Sequence, residues 1–331
     1  MNESREQRLW QACTEGDFEV AKELADDPAV EVSWGDPEVG RTPFYRACFF
    51  GRTSVVEYLM RNPRVDVVRQ QSQGATPFLA ACQEGHKEVV SLLLADTRID
   101  PNEGDDEGYT PFFIACEKGH KEVVSLLLAD PRIDPNKRDN DQSTPLWVAS
   151  QNGHLVVVQH LLASAREIDT RKRSTYNNMT AAENGRALGG RSTKPADETE
   201  EVFQRRKTYG PHCADLIDAY EKDPPKVRSQ LRKQLGLPGN HPLPSPHSPP
   251  HLSSSLSVLF FPIYADPASS PAKTASSTPT PSTSKSPAPA MATSSSKPPA
   301  IPQPTLAPAA TPSMPGESPS HFLPTFPHPS P

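Results

Sequence analysis

Long apolar runs are missing from this 331-residue chain, and none approaches the roughly 20 apolar residues that a membrane-spanning helix requires. Its first residues, MNESREQRLW, lack the apolar core of a secretion signal. No membrane partner is expected, and the protein reads as intracellular and cytoplasmic, with the nucleus left open. Charge is nearly absent from the last 94 residues, where only Asp266, Lys273, Lys285, Lys297 and Glu317 carry it; 25 of the 39 prolines fall there. Such a segment cannot bury enough apolar surface to offset its chain entropy, so residues 238–331 are expected to be a disordered Pro/Ser/Thr-rich tail. Positive charge is short in residues 1–190, with 21 Lys and Arg against 30 Asp and Glu. Nucleic acid is therefore not expected as a ligand, because neutralising phosphates takes an extended basic surface. Catalytic signatures are absent too. There is no phosphate-binding G-x-G-x-x-G or G-x-x-x-x-G-K-[ST], and no Cys or Ser has a motif-defined His and Asp partner. Neither an enzyme nor a cofactor is expected.

What is present is a period. Thr42-Pro43, Thr76-Pro77, Thr110-Pro111 and Thr144-Pro145 each follow the last by 34 residues, and GHKEVVSLLLAD stands unchanged at residues 85–96 and 119–130. Self-similarity at this spacing is the mark of a stacked repeat. In one unit, Thr110 can cap a helix that starts at Pro111, where the missing N–H costs nothing, and Gly119 can end it in the left-handed conformation. A second helix is predicted over residues 121–129, with Val124, Leu127 and Leu128 on one face, and Pro131 stops it. The polar stretch RIDPNKRDNDQ then reads as a loop or β-hairpin finger leading to the next Thr-Pro. Two short helices cannot bury their own apolar faces, and stacking does so at about 1.5–3 kcal/mol per buried Leu or Val.

The unit resembles the ankyrin repeat, with its Thr-Pro-Leu-His, Ala-Ala, Gly-His, Val-Val and Leu-Leu-Leu pattern. The resemblance implies an all-α solenoid of 34-residue helix-turn-helix repeats over residues 5–190: units at about 5–38, 41–74, 75–108, 109–142 and 143–178, and a partial one at 179–190. Two departures stand out. The period exceeds the usual 33 by one residue, in ADPRIDPN, and the motif His is replaced by Tyr45, Leu79, Phe113 and Trp147. Residues 191–237 show helical patterning in three pieces, 199–209, 212–221 and 225–236, and are expected to form a helical cap or small extension.

Residues that catch the eye as chemical have plainer readings. Cys13, Cys48, Cys82 and Cys116 occupy equivalent places, where helices 8–10 Å apart cannot bring Cα atoms within the 7 Å of a disulfide, so they should be buried thiols. His86, His120 and His154 lie one to a repeat, too far apart to share a metal ion, and read as structural. Asp105-Asp106-Glu107 reads as a solvated finger tip, and Arg171-Lys172-Arg173 and Arg205-Arg206-Lys207 as solvated basic clusters. By resemblance, the ankyrin stack binds an unidentified partner protein through its concave face. The candidates there are Arg41, Phe49, Phe50, Gln83, Glu84, Tyr109, Glu117, Lys118, Asn140, Asp141, Gln151 and Asn152. Phe49-Phe50 is the sharpest of these, as either a binding hot spot or a contact with the N-terminal cap around Trp34. A monomeric, non-catalytic adaptor is the expected function. The alternative is a regulatory or targeting subunit of an enzyme complex, with 191–237 as a separate functional module.

Overall fold

The computed structural model describes residues 3–196 and 198–238, and the expected tail lies outside the described residues. Described residues form helices and turns, with no strand among them. Among the described residues thirteen helices follow one another: α1 Arg5–Glu15, α2 Phe18–Asp26, α3 Pro43–Phe49, α4 Thr53–Met60, α5 Pro77–Gln83, α6 Lys87–Leu94, α7 Pro111–Lys118, α8 Lys121–Ala129, α9 Pro145–Gln151, α10 Leu155–Ala163, α11 Ala181–Gly189, α12 Glu200–Lys222 and α13 Pro224–Gln234. Odd-numbered helices from α1 to α11 pack in one layer, each on its neighbour, and α2 to α10 do the same in a second. This is the all-α repeat stack that the period predicts.

The sequence makes each unit the same way. Thr42, Thr76, Thr110 and Thr144 accept the N–H of Tyr45, Leu79, Phe113 and Trp147 at 3.0, 3.1, 3.1 and 3.1 Å. Each cap satisfies a helix-end donor that has no partner inside the helix, worth about 1 kcal/mol. Phe44, Phe78, Phe112 and Leu146 then fill the layer between helices, all fully buried. Cys13, Cys48, Cys82, Cys116 and Cys213 are buried free thiols. Burial raises the Cys213 thiol to about 12, so it is an apolar filler and a poor nucleophile at neutral pH.

Two series of side chains stitch one unit to the next. In the first, His86, His120 and His154 put Nε2 2.9, 2.7 and 2.9 Å from the carbonyls of Phe49, Gln83 and Glu117, at the end of the preceding inner helix. Each ring also lies against the glycine that ends that helix: a Cβ on Gly51, Gly85 or Gly119 would come within 2.5, 2.6 or 2.3 Å of the imidazole. The Gly-His pair is therefore one device spread over two repeats, and these histidines supply bracing where the motif His is lost. In the second series, Arg64, Arg98, Arg132 and Arg166 reach back to carbonyls at or just beyond the ends of α2, α4, α6 and α8. Arg98 Nη2 lies 3.0 Å from Met60 O, Arg132 Nη2 2.6 Å from Leu94 O and Arg166 Nη1 3.1 Å from Asp130 O. Arg64 Nη2 bonds Ala25 O. A cation there meets unpaired carbonyls and the negative end of the helix dipole. The turn with the extra residue holds these arginines, and Asp96 and Asp130 orient two of them at 2.5 and 2.7 Å. Arg132→Ala is expected to lower stability by about 1–2 kcal/mol, read from the urea midpoint at unchanged slope.

At the C-terminal end, α12 packs on α11, α10 and α9, and α13 on α10 and α12. Arg232 of α13 donates to Ala163 O at 3.0 Å, taking at α10 the place that the repeat arginines take elsewhere. α12 differs from the sequence expectation. It runs unbroken through Pro211 where two helices were predicted. Gly210 and Gly185 allow α12 and α11 to touch backbone to backbone, since a Cβ on either would meet the other's carbonyl at 2.6 Å. Tertiary packing of that kind offsets the lost proline hydrogen bond.

Candidate functional site

Helical spacing of four lines up three residues on the finger side of each inner helix, and the same positions recur every 34 residues. Along α3 they are Arg41, Tyr45 and Phe49; along α5, Ala75, Leu79 and Gln83; along α7, Tyr109, Phe113 and Glu117; along α9, Ser143, Trp147 and Gln151. The middle member is buried every time. The outer members differ in size and charge from repeat to repeat, while the Ala and Cys behind them hardly change. Arg41, Phe49, Phe50, Gln83, Tyr109, Glu117 and Lys118 are half-buried, and Glu84, Asn140 and Asp141 are exposed.

Phe49 stacks on Tyr45 at 6.4 Å between ring centres and meets Phe50 edge-on at 5.1 Å. Arg46 places its guanidinium 4.2 Å from the Trp10 ring and 4.6 Å from the Phe50 ring, bridging the first two units. The N-terminal contact therefore runs through Trp10 of α1, where the sequence pointed to Trp34. Trp10 carries no repeat motif and only its fold neighbour reveals it.

Repeat five is different. Gln151 and Asn152, expected on the open face, are buried. Asn152 Oδ1 accepts from Arg206 Nε at 3.1 Å, its carbonyl accepts from Arg205 Nε at 2.9 Å, and its Nδ2 donates to Glu117 O at 3.0 Å. A Cβ on Gly153 would lie 2.7 Å from Arg205 O, so α12 fills the place a next histidine would take. Arg206, paired with Glu198 at 2.9 Å, is likewise not the solvated cluster residue the sequence suggested. No motif signals this, because α12 follows a ten-residue connection.

The fingers carry a second correction. Asp105 and Asp139 turn inward and are buried, accepting the N–H of Tyr109 and Ser143 at 2.8 and 2.7 Å. Asp106 and Glu107 stay exposed. Backbone bonds join successive tips: Asp106 N–H to Gln73 O at 3.1 Å, Asn140 to Glu107 at 3.0 Å and Thr175 to Asp141 at 2.8 Å. Burial raises both inward carboxyls to about 6. A carboxyl whose folded value lies above its unfolded one, about 3.9, holds its proton longer in the fold. Its favourable contribution is complete below about pH 4 and lost as pH rises through 6. Asp105→Asn and Asp139→Asn are expected to flatten the fall in stability between pH 4 and 7 by roughly 1–3 kcal/mol each, in urea titrations across that range.

The family profile for ankyrin repeats in three copies matches residues 9–105, 63–139 and 97–174, together half of the chain. The chain belongs to the ankyrin-repeat family. Ankyrin repeats are generally protein–protein interaction modules and typically non-catalytic. No curated protein matches this chain. Among the described residues, no group of three or more His, Cys, Asp or Glu is arranged to hold a metal ion, and no helix is long and apolar enough to cross a membrane. In this ankyrin stack His86, His120 and His154 bond carbonyls of the preceding repeat, and the five thiols are buried.

Proposed function

We propose that this ankyrin-repeat protein is a non-catalytic adaptor that binds one partner protein along the finger side of α3, α5 and α7. The observation that carries the reading is a contrast along α3, α5 and α7: the buried Phe, Ala and Cys of each helix (Phe44, Ala47 and Cys48 in α3) recur unchanged, whereas Phe49, Gln83 and Glu117, and Phe50, Glu84 and Lys118, differ from helix to helix and remain accessible, as do Arg41 and Tyr109. A surface kept only for solubility has no need of half-buried Phe49 and Phe50 or of Tyr109; aromatics that are pinned on one side and open on the other are typical interface anchors. Five reduced thiols fit a reducing compartment. Arg41 and Phe49 mark the N-terminal edge of the surface, and α12 closes its C-terminal edge at Asn152. Replacing Phe49 and Phe50 together by Ala is expected to weaken binding of the captured partner at least tenfold, with the thermal midpoint monitored beside it. Binding equal to the wild type would remove this pair from the interface.

A further inference from the structure

One interlock recurs down the connections that follow the outer helices, and it is missing once. In the connection after α6, Asn102 Nδ2 donates to Arg132 O of the next connection at 2.7 Å, and the Asp134 N–H donates to Asn102 Oδ1 at 2.8 Å. One period on, Asn136 makes the same pair of bonds, to Glu167 O and from the Asp169 N–H, both at 2.8 Å. After α2 the hydroxyl of Ser33 serves instead, donating to Arg64 O at 3.2 Å and accepting the Asp66 N–H at 2.9 Å. After α4 the period puts Val68 at this position, and its side chain has neither donor nor acceptor. The backbone there matches that of the asparagines. The N–H groups of Val68, Asn102 and Asn136 each donate to the carboxylate two residues before, of Asp66, Asp100 and Asp134, at 3.1, 2.9 and 2.9 Å. Only the side chain differs. Among the described residues nothing bonds Arg98 O or the Asp100 N–H, the two groups that an asparagine at 68 would join, and Val68 is exposed.

The rest of this junction's outer edge is thinly tied as well. Arg98 crosses it with one backbone bond, to Met60 O, whereas Arg64 reaches the carbonyls of Ala25, Asp27 and Val30, and Arg166 those of Asp130 and Ile133. One junction later Lys137 adds a bond to Asn102 O at 2.8 Å. The other side-chain link here, Gln70 to Glu103 at 2.7 Å, lies at the surface, where such pairs contribute little. The inner side of the junction is closed by contrast: His86 stands 2.9 Å from Phe49 O, α3 packs on α5, and the finger tips are joined from Asp106 to Gln73. A junction fastened along one side and open along the other can turn about the fastened side. We propose that the stack hinges here, with the inner layer as pivot, so that the unit carrying Phe49 and Phe50 tilts against the units carrying Gln83, Tyr109 and Glu117. Repeat stacks are held by nearest-neighbour interfaces, so the least tied interface decides where they bend. The hinge would let the face adjust its curvature to a partner; that use rests on the binding-face reading above, and the motion does not.

The test puts pairs of spin labels on the full chain at Ser54, Glu88, Glu122 and Val156, which are exposed and equivalent by the period. Ser54→Cys with Glu122→Cys spans two units across the joint, and Glu88→Cys with Val156→Cys spans two units beyond it. With neighbouring helices about 8–10 Å apart, both backbone separations are near 20 Å, within reach of pulsed electron spin resonance. The native thiols are buried and do not compete for the label. The distance distribution is expected to be wider for the first pair than for the second. Val68→Asn, which can make both missing bonds, should narrow the first to the width of the second, while Val68→Ala, which adds no bond, should leave it wide. Equal widths in the unmodified background, no narrowing with Val68→Asn, or the same narrowing with Val68→Ala would overturn the hinge. Unchanged binding in the Phe49→Ala, Phe50→Ala protein would count against the face and leave these widths as they are, so the two readings fail separately.

Discussion

Gly119→Ala is expected to destabilise the stack by about 2–4 kcal/mol, whereas Gly40→Ala should cost only about 1. The backbone is left-handed at both, φ 83° and 74°, so the conformational penalty of a Cβ is shared. Surroundings separate them. Nothing lies within 4 Å of a Cβ on Gly40, but one on Gly119 would stand 2.3 Å from His154 Nδ1, and the ring would have to leave Glu117 O. His154 is held neutral by burial and by neighbouring Arg205, its value lowered to about 4, so the brace is a neutral hydrogen bond insensitive to pH above 5. Urea denaturation of both variants measures the difference. Equal losses would mean that the glycine serves the turn alone and the Gly-His bracket has no energetic weight.

Phe112→Ala should cost about 3–5 kcal/mol, the largest effect expected of a single side chain here. Phe112 is completely buried in α7, with Phe78 and Leu146 at the equivalent places on either side. Repeat stacks hold together through nearest-neighbour interfaces, so a cavity in the middle unit weakens two interfaces at once. Hydrogen exchange should show protection lost first in α5 to α9, with α1 and α2 less affected. A uniform loss over all units would argue for a single indivisible core.

Much of the fold is legible because it is written several times. α7 and α8 span the residues the Thr-Pro, Gly-His and proline signals mark, since each cap acts within four residues of its cause. Other features were hidden for physical reasons. The arginines at 64, 98, 132 and 166 share the period, yet nothing local says that they reach 36 to 39 residues back. Gln142 sits at φ 60° where three earlier units have glycine, a conformation imposed by the finger stack and not by its own preference. Asp105 looks like a solvated loop residue and is buried by the turn that its own carboxylate closes on the Tyr109 N–H. At the candidate site the variable positions were visible by comparing repeats, but the loss of Gln151 and Asn152 to α12 was not, because tertiary packing beyond the repeat decides it.

If the proposed function holds, the variable inner-helix face, and not the outer helices, meets the partner. Photocrosslinking tests it most directly, with a benzophenone side chain placed at Gln83 of α5 or at Glu88 of α6 in the full chain inside living source cells. One discrete crosslinked protein is expected from Gln83 and none from Glu88, with the Gln83 product lost in the Phe49→Ala, Phe50→Ala background. A product from Glu88 alone, or the same product from both positions, would contradict it.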